Sequence, residues 1–291
     1  MALFLSWGEA AAFAQQQGGP APAADSGAGN GRREPLWELG IGAGAARIPQ
    51  YRGSDEYDTY VLPVPYFVYR GDVIKADRGG VRGIFLEGAR WATDISLSGN
   101  PPVDRDNEAR QGMAKLDPVV ELGPALRGYL RPRTADWNVY VRPAIRAASA
   151  VDLGDPGLSY AGLHGGVTVG WYKRKRGKIG WRYGSNMGID LADKRYHRYF
   201  YRVTGKDAQP DRPAYDPDSG YGGLNVSAFV SRDLTERLSL GVYGRWDHLD
   251  GAAFENSPLV RENDNFIAGV GLAWKWRESR RTVPVQDETE L

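Results

Sequence analysis

Cysteine is absent from the 291-residue chain, which excludes disulfides, zinc ribbons, iron–sulfur ligation and thiol nucleophiles. No run approaches the roughly 20 apolar residues that a spanning helix needs. A mean hydropathy of -0.49 excludes a polytopic helical membrane protein as well. Net charge is +1, so no global field points to nucleic acid or steers a charged substrate. Histidine is scarce: His164, His197 and His248 are the three in the chain. None belongs to a Gly-x-Ser-x-Gly elbow or a His-x-Ser pair, so the motifs of a Ser–His hydrolase are missing. Asp216-Pro217-Asp218 lacks the downstream bidentate Glu of a calcium loop and reads as a turn leading into a strand. No catalytic set, metal site or cofactor is expected.

Glycine (38), tyrosine (16) and tryptophan (9) are abundant instead. From Trp37 onward the dominant period is two, the mark of strands with one apolar face. Ile179, Trp181, Tyr183, Met187, Ile189 and Leu191 alternate with Gly180, Arg182, Gly184, Asn186, Gly188 and Asp190. The same alternation recurs over Trp37–Ala45, Trp137–Ala147, Leu238–Trp246 and Phe266–Trp276. A soluble sandwich also alternates, but three features favour a membrane barrel. The segments run about 10 to 15 residues, suited to a tilted spanning strand. Tryptophans sit near segment ends, where interfacial girdles lie. Long connections (47–59, 99–117, 150–156, 192–219, 249–262) alternate with short ones (70–72, 88–90, 131–136, 173–177, 232–236). Long loops then share one side and tight periplasmic turns the other. The expected fold is all-β: a transmembrane, antiparallel, up-and-down β-barrel of about 12 strands, or 10 if the hairpin at 72–88 does not span.

The ends divide as follows. Residues 1–14 read as a signal peptide with Ala12-Phe13-Ala14 at its cleavage site, though the charged n-region is missing. Residues 15–36 are a Pro/Gly-rich linker of the kind that stays disordered. The barrel occupies 37–276, and 277–291 is a polar periplasmic tail.

The opening GIGAGAARIPQ (Gly40 to Gln50) invites comparison with a phosphate loop, but no helix follows to supply the N-terminal dipole. Its glycines belong on the inward face of the first strand, where that strand should pair with the last. Glu121, Arg127, Arg142, Arg146, Arg182, Asp190 and Arg245 also fall on inward faces, with Asp247 and Lys275. They either pair across the lumen as an ion-pair network or line a narrow polar channel. The run Lys173, Arg174, Lys175, Arg176 and Lys178 forms a periplasmic turn that could meet anionic headgroups or an acidic partner. Tyr196 to Arg202 interleaves aromatic and basic residues in the longest loop; it makes a surface contact, folds into the barrel mouth or extends the adjoining strands above the membrane.

These residues resemble the MipA/OmpV family of outer-membrane proteins. The resemblance rests on a Gly-rich first strand, Pro49-x-Tyr51, Gly53-Ser54-Asp55 and Leu62-Pro63-Val64-Pro65-Tyr66. It continues through Tyr215 to Gly220, Ser257-Pro258-Leu259-Val260 and the closing strand to Trp276. It implies location in the outer membrane of a Gram-negative bacterium, among its lipid and lipopolysaccharide, and no catalytic residues. It implies a scaffold linking that membrane to peptidoglycan-remodelling enzymes, a periplasmic murein hydrolase or synthase. The alternative is a channel for small polar molecules; a lipid-modifying enzyme stands third.

Overall fold

The computed structural model describes residues 33–70, 74–77, 80–83, 86–133, 135–152, 154, 157–173 and 179–284. The expected signal peptide, most of the linker and the end of the tail lie outside them. In chain order the strands are β1 (Arg33–Pro35), β2 (Trp37–Pro49), β3 (Tyr57–Arg70), β4 (Ile74–Asp77), β5 (Gly80–Gly83), β6 (Glu87–Gly88), β7 (Trp91–Asn100) and β8 (Val119–Tyr129). They continue with β9 (Trp137–Asp152), β10 (Gly157–Lys173), β11 (Trp181–Ala192), β12 (Gly220–Asp233), β13 (Leu238–His248), β14 (Asp264–Glu278) and β15 (Thr282–Pro284). A single α-helix, α1 (Lys194–Tyr201), lies between β11 and β12. β1 and β15 pair as a separate ribbon beside the barrel.

All other strands form one antiparallel sheet in the order β5-β4-β3-β2-β14-β13-β12-β11-β10-β9-β8-β7-β6. Its two ends meet where β5 lies against β7. Apart from β5 and β6 at the two ends of this order, neighbours in sequence pair, and the first long strand, β2, pairs with the last, β14, from Arg47↔Ala268 to Gly40↔Lys275. Among the described residues ten strands are 10 to 17 residues long. β4 and β5 have four residues each and rise only about 13 Å, short of an apolar band about 25 Å tall. They meet just the end of β3, at Tyr69 and Arg70. The wall therefore has ten spanning strands, the lower of the two counts, with a short hairpin inserted at the closure.

Period-two patterning sorts the faces as expected. Ile41, Val61, Leu97, Leu122, Val141, Ile145, Met187, Val242 and Leu272 are exposed on the outside, while Glu38, Asp94, Glu121, Asn138, Arg182 and Asp247 are buried inside. Such an inversion is unfavourable in water and favourable in lipid, where every backbone group must already be paired within the wall. Trp37, Trp91, Trp137, Trp171, Trp181, Trp274 and Trp276 all sit at the short-turn rim, and Trp246 alone among the described tryptophans lies toward the other end. At the long-loop rim tyrosines lie under arginines instead: Arg47 is 5.0 Å from the Tyr57 ring centre and Arg195 is 5.1 Å from that of Tyr160.

The β2–β14 contact depends on close approach. A Cβ added at Gly40 would overlap the carbonyl oxygen of Trp274. Gly40→Val is expected to destabilise the barrel by about 1–3 kcal/mol, lowering its midpoint in thermal melts followed by circular dichroism. Gly205→Val, at a loop glycine with no heavy atom within 4 Å of its added Cβ, should leave the midpoint unchanged.

Candidate functional site: a capped and cross-linked lumen

The long connections do not extend the strands into solvent; they fold inward. After β11, Asp193 caps α1 by accepting from the Tyr196 backbone N–H at 2.7 Å. The helix can lie this close because β10 bulges at Gly162, whose φ of +131° suits glycine. A Cβ there would run into the side chain of Asp193 and the backbone of Tyr196. α1 turns Tyr196, His197, Phe200 and Tyr201 inward. Phe254 stacks on Tyr201 with ring centres 3.7 Å apart and meets the edge of His197 at 4.9 Å. Tyr51, Val103, Leu116, Val119 and Leu249 complete this apolar cluster, which closes the long-loop mouth. On the outer side of α1, Arg198 grips Asp216 with two hydrogen bonds of 2.6 and 2.5 Å. These bonds hold the Asp216 carboxyl down at about 2. Of the three arrangements open to the Tyr196–Arg202 segment, folding into the mouth is the one found.

Beneath the cap lies the charge network. Glu121 is 1% exposed and accepts from Arg146 Nε at 2.8 Å and from the Tyr196 hydroxyl at 2.7 Å, with His164 Nδ1 at 2.8 Å. His164 Nε2 faces Asp190 at 3.6 Å, and Tyr196 covers its ring face. Both nitrogens and one face are thus engaged, and the ring acts as a cross-link between β8, β10, β11 and α1. Asp190 also accepts from Arg52 at 3.1 Å and Asn225 at 2.9 Å. Arg52 reaches Asp247 at 3.1 Å, which in turn takes Arg245 at 2.7 Å. Nearer the short turns, Arg127 and Arg142 converge on Asp94 at 3.3 and 3.0 Å. Arg182 donates to Ser231 and Asp233 at 3.0 and 2.9 Å, and Lys275 bridges Glu38 and Glu278. Between cap and network a cavity of about 20 Å³ remains, bordered by Arg52, Asn100, His164 and Tyr196 among others. It has room for about one water.

All seven inward candidates therefore carry a carboxylate or guanidinium partner. Asp94, Asp233 and Glu38 belong to no motif, although each occupies an inward position opposite apolar neighbours. Arg52 gave no periodic signal at all, because it enters from a loop. In the basic turn, Lys173 is exposed, with its Nζ 5.7 Å from the Tyr183 ring centre. Arg174, Lys175, Arg176 and Lys178 lie outside the described residues.

Two outcomes follow from this geometry. Glu121→Ala strips the partner from a buried guanidinium and should cost about 3–5 kcal/mol, while raising hydrogen exchange across α1. The second concerns His197, which is 1% exposed. Burial lowers its affinity for a proton below the ordinary value, while its Nδ1 meets the Asp218 carbonyl at 2.6 Å. The opened cap then binds the proton more readily than the closed one, so closure is at full strength above about 6.5 and weakens as pH falls. Exchange of α1 amides, corrected for intrinsic rates, should accelerate between pH 7.5 and 5.5. His197→Asn should make that acceleration smaller than in the wild type; Asp216 stays ionised throughout the interval.

Residues 41–276 match the family described as MltA-interacting protein MipA. No curated protein matches the chain. Among solved structures, the NanC porin is 10% identical with a TM-score of 0.39, over 82% of this chain and 100% of that one. The toluene transporter TodX of Pseudomonas putida is 10% identical with a TM-score of 0.34, over 91% and 97%. OprG of Pseudomonas aeruginosa is 11% identical with a TM-score of 0.24, over 85% and 98%. The strand pairing and the lipid-facing belt define the barrel without them. With its family match spanning the whole spanning wall, the chain belongs to the MipA family and is a β-barrel protein of the Gram-negative outer membrane.

Proposed function

We propose that this barrel is a non-enzymatic envelope scaffold that presents its short-turn side to peptidoglycan-remodelling enzymes. The observation that carries the reading is the interior: ion pairs cross-link it and an apolar cap closes its outer mouth. A protein built this way has its free surface at the two rims rather than along a transport path. The family's description as MltA-interacting supports a periplasmic murein enzyme as partner. The chain reaches the membrane through the signal at 1–14, with linker and tail in the periplasm. The turn at 173–178 supplies the contact, drawing an acidic partner surface or anionic headgroups at about 1 kcal/mol per basic residue. Outer-membrane lipid surrounds the apolar belt, and lipopolysaccharide the Arg47–Tyr57 and Arg195–Tyr160 pairs.

Affinity purification from detergent-solubilised envelopes tests the reading. A murein transglycosylase or synthase should be recovered with the wild type. Recovery should fall about tenfold or more when Lys173, Arg174, Lys175, Arg176 and Lys178 are all changed to Gln, a loss of at least one or two contacts at that strength. No such enzyme in the wild-type eluate, or equal recovery from the substituted barrel, would count against the scaffold.

A further inference from the structure

Among the described ion pairs between strands, cations and carboxylates match in number at each place but one. Arg146 has Glu121, Arg182 has Asp233, Lys275 has Glu38, and Arg52 with Arg245 shares Asp190 and Asp247. Among the described residues, Arg127 and Arg142 have one carboxylate between them, Asp94. The register of β8 and β9, with Ala125↔Ala144 and Gly128↔Val141, sets these two arginines directly opposite each other. Like charges opposed on adjacent strands repel, so the sheet itself gains nothing from the second guanidinium. The arrangement is nonetheless built with care. The Arg127 guanidinium lies 5.0 Å from the centre of the Tyr140 ring. Tyr140 in turn lies across Gly170, where any Cβ would overlap the phenol ring. The Nε groups of both arginines are buried donors without an acceptor. The Arg142 side chain still keeps 21% of its surface open, against 7% for Asp94.

We propose that Arg127 and Arg142 form a binding site for a small oxyanion, a carboxylate or a phosphate, inside the lumen. The surplus guanidinium supplies the charge, and paired guanidinium forks suit two-oxygen recognition of such groups. Asp94 holds the arginines in position and keeps the site from collapsing into a fully satisfied pair. Halfway round the barrel, β2 and β14 turn Gly40, Gly42, Gly44, Gly269, Gly271 and Ala273 inward, and the longer Glu38 and Lys275 of the same strands pair with each other. With the outer mouth capped, the anion enters from the short-turn side. The site does not depend on the scaffold role.

Isothermal titration calorimetry on the full chain, folded in a zwitterionic detergent, tests it with sodium acetate in one arm and inorganic phosphate in the other. Saturable binding is expected in at least one arm, and the arm that saturates identifies the oxyanion. Arg142→Gln and Arg127→Gln should each weaken binding about tenfold, the scale of one charge-assisted hydrogen bond. Asp94→Asn, which removes the competing carboxylate, should tighten it. A purely structural role for the trio would not give effects of opposite sign. Two arginine variants are used so that a folding failure in one leaves the other to report. No saturable heat with the wild type, or affinity unchanged in the arginine variants, overturns the proposal.

Discussion

The Glu121 carboxylate is the interaction on which the interior depends. One buried group, contributed by β8, takes hydrogen bonds from β9 through Arg146 and from α1 through Tyr196, with His164 of β10 in contact. Desolvating a carboxylate costs several kcal/mol and is offset only when its lone pairs are filled by well-placed donors. Three strands and the cap helix therefore have to adopt their observed positions together. Arg52 extends the same logic from the first long loop to Asp190 and Asp247, tying the opposite wall to the cap. The cap is consequently fastened to the lumen by charge as well as by the Tyr201–Phe254 stack.

The wall shows a second constraint, the need to bring backbones close in a narrow barrel. Glycines sit where strands or rings press in: Gly40 under the Trp274 carbonyl, Gly170 beneath Tyr140, and Gly162 beneath the start of α1. Their distribution is uneven. Above the Glu38–Lys275 pair, β2 and β14 turn mainly glycine and alanine inward, while β7 to β10 carry Asp94, Glu121, Arg127, Tyr140, Arg142, Arg146 and His164. Ten strands thus enclose an uneven interior, with a run of small residues along the β2–β14 seam and charged side chains on β7 to β13. Glycine in strands weakens them locally, and here that weakness is accepted in return for close packing.

Much of this was legible in the residues, because lipid makes the period-two code strict. Ile179 to Leu191 could be assigned to faces from sequence alone, and the β2–β14 pairing follows from the glycines of the first strand. The hairpin at 74–83 was harder, since Gly79-Gly80 signals a turn without saying how far the strands flanking it extend. Within the lumen the sequence exposed the cations and hid most of their partners. Asp94 stood in a strand whose inward side otherwise reads Ala92, Ser96 and Ser98, and nothing local set it apart. Arg52 and the aromatic residues of the cap come from loops, where no periodicity says which side chain turns inward. Their roles arise from contacts across more than 100 residues of chain, such as Arg52 with Asp190.

Whether the interior is closed is most directly settled by single-channel recording of the full chain in planar lipid bilayers at neutral pH. A lumen cross-linked at Glu121 and capped by α1 predicts a silent barrel, with current steps appearing only when Glu121→Ala loosens the cap. Steady, discrete conductance from the wild type would contradict a closed interior and restore the channel as the better reading of the same inward charges.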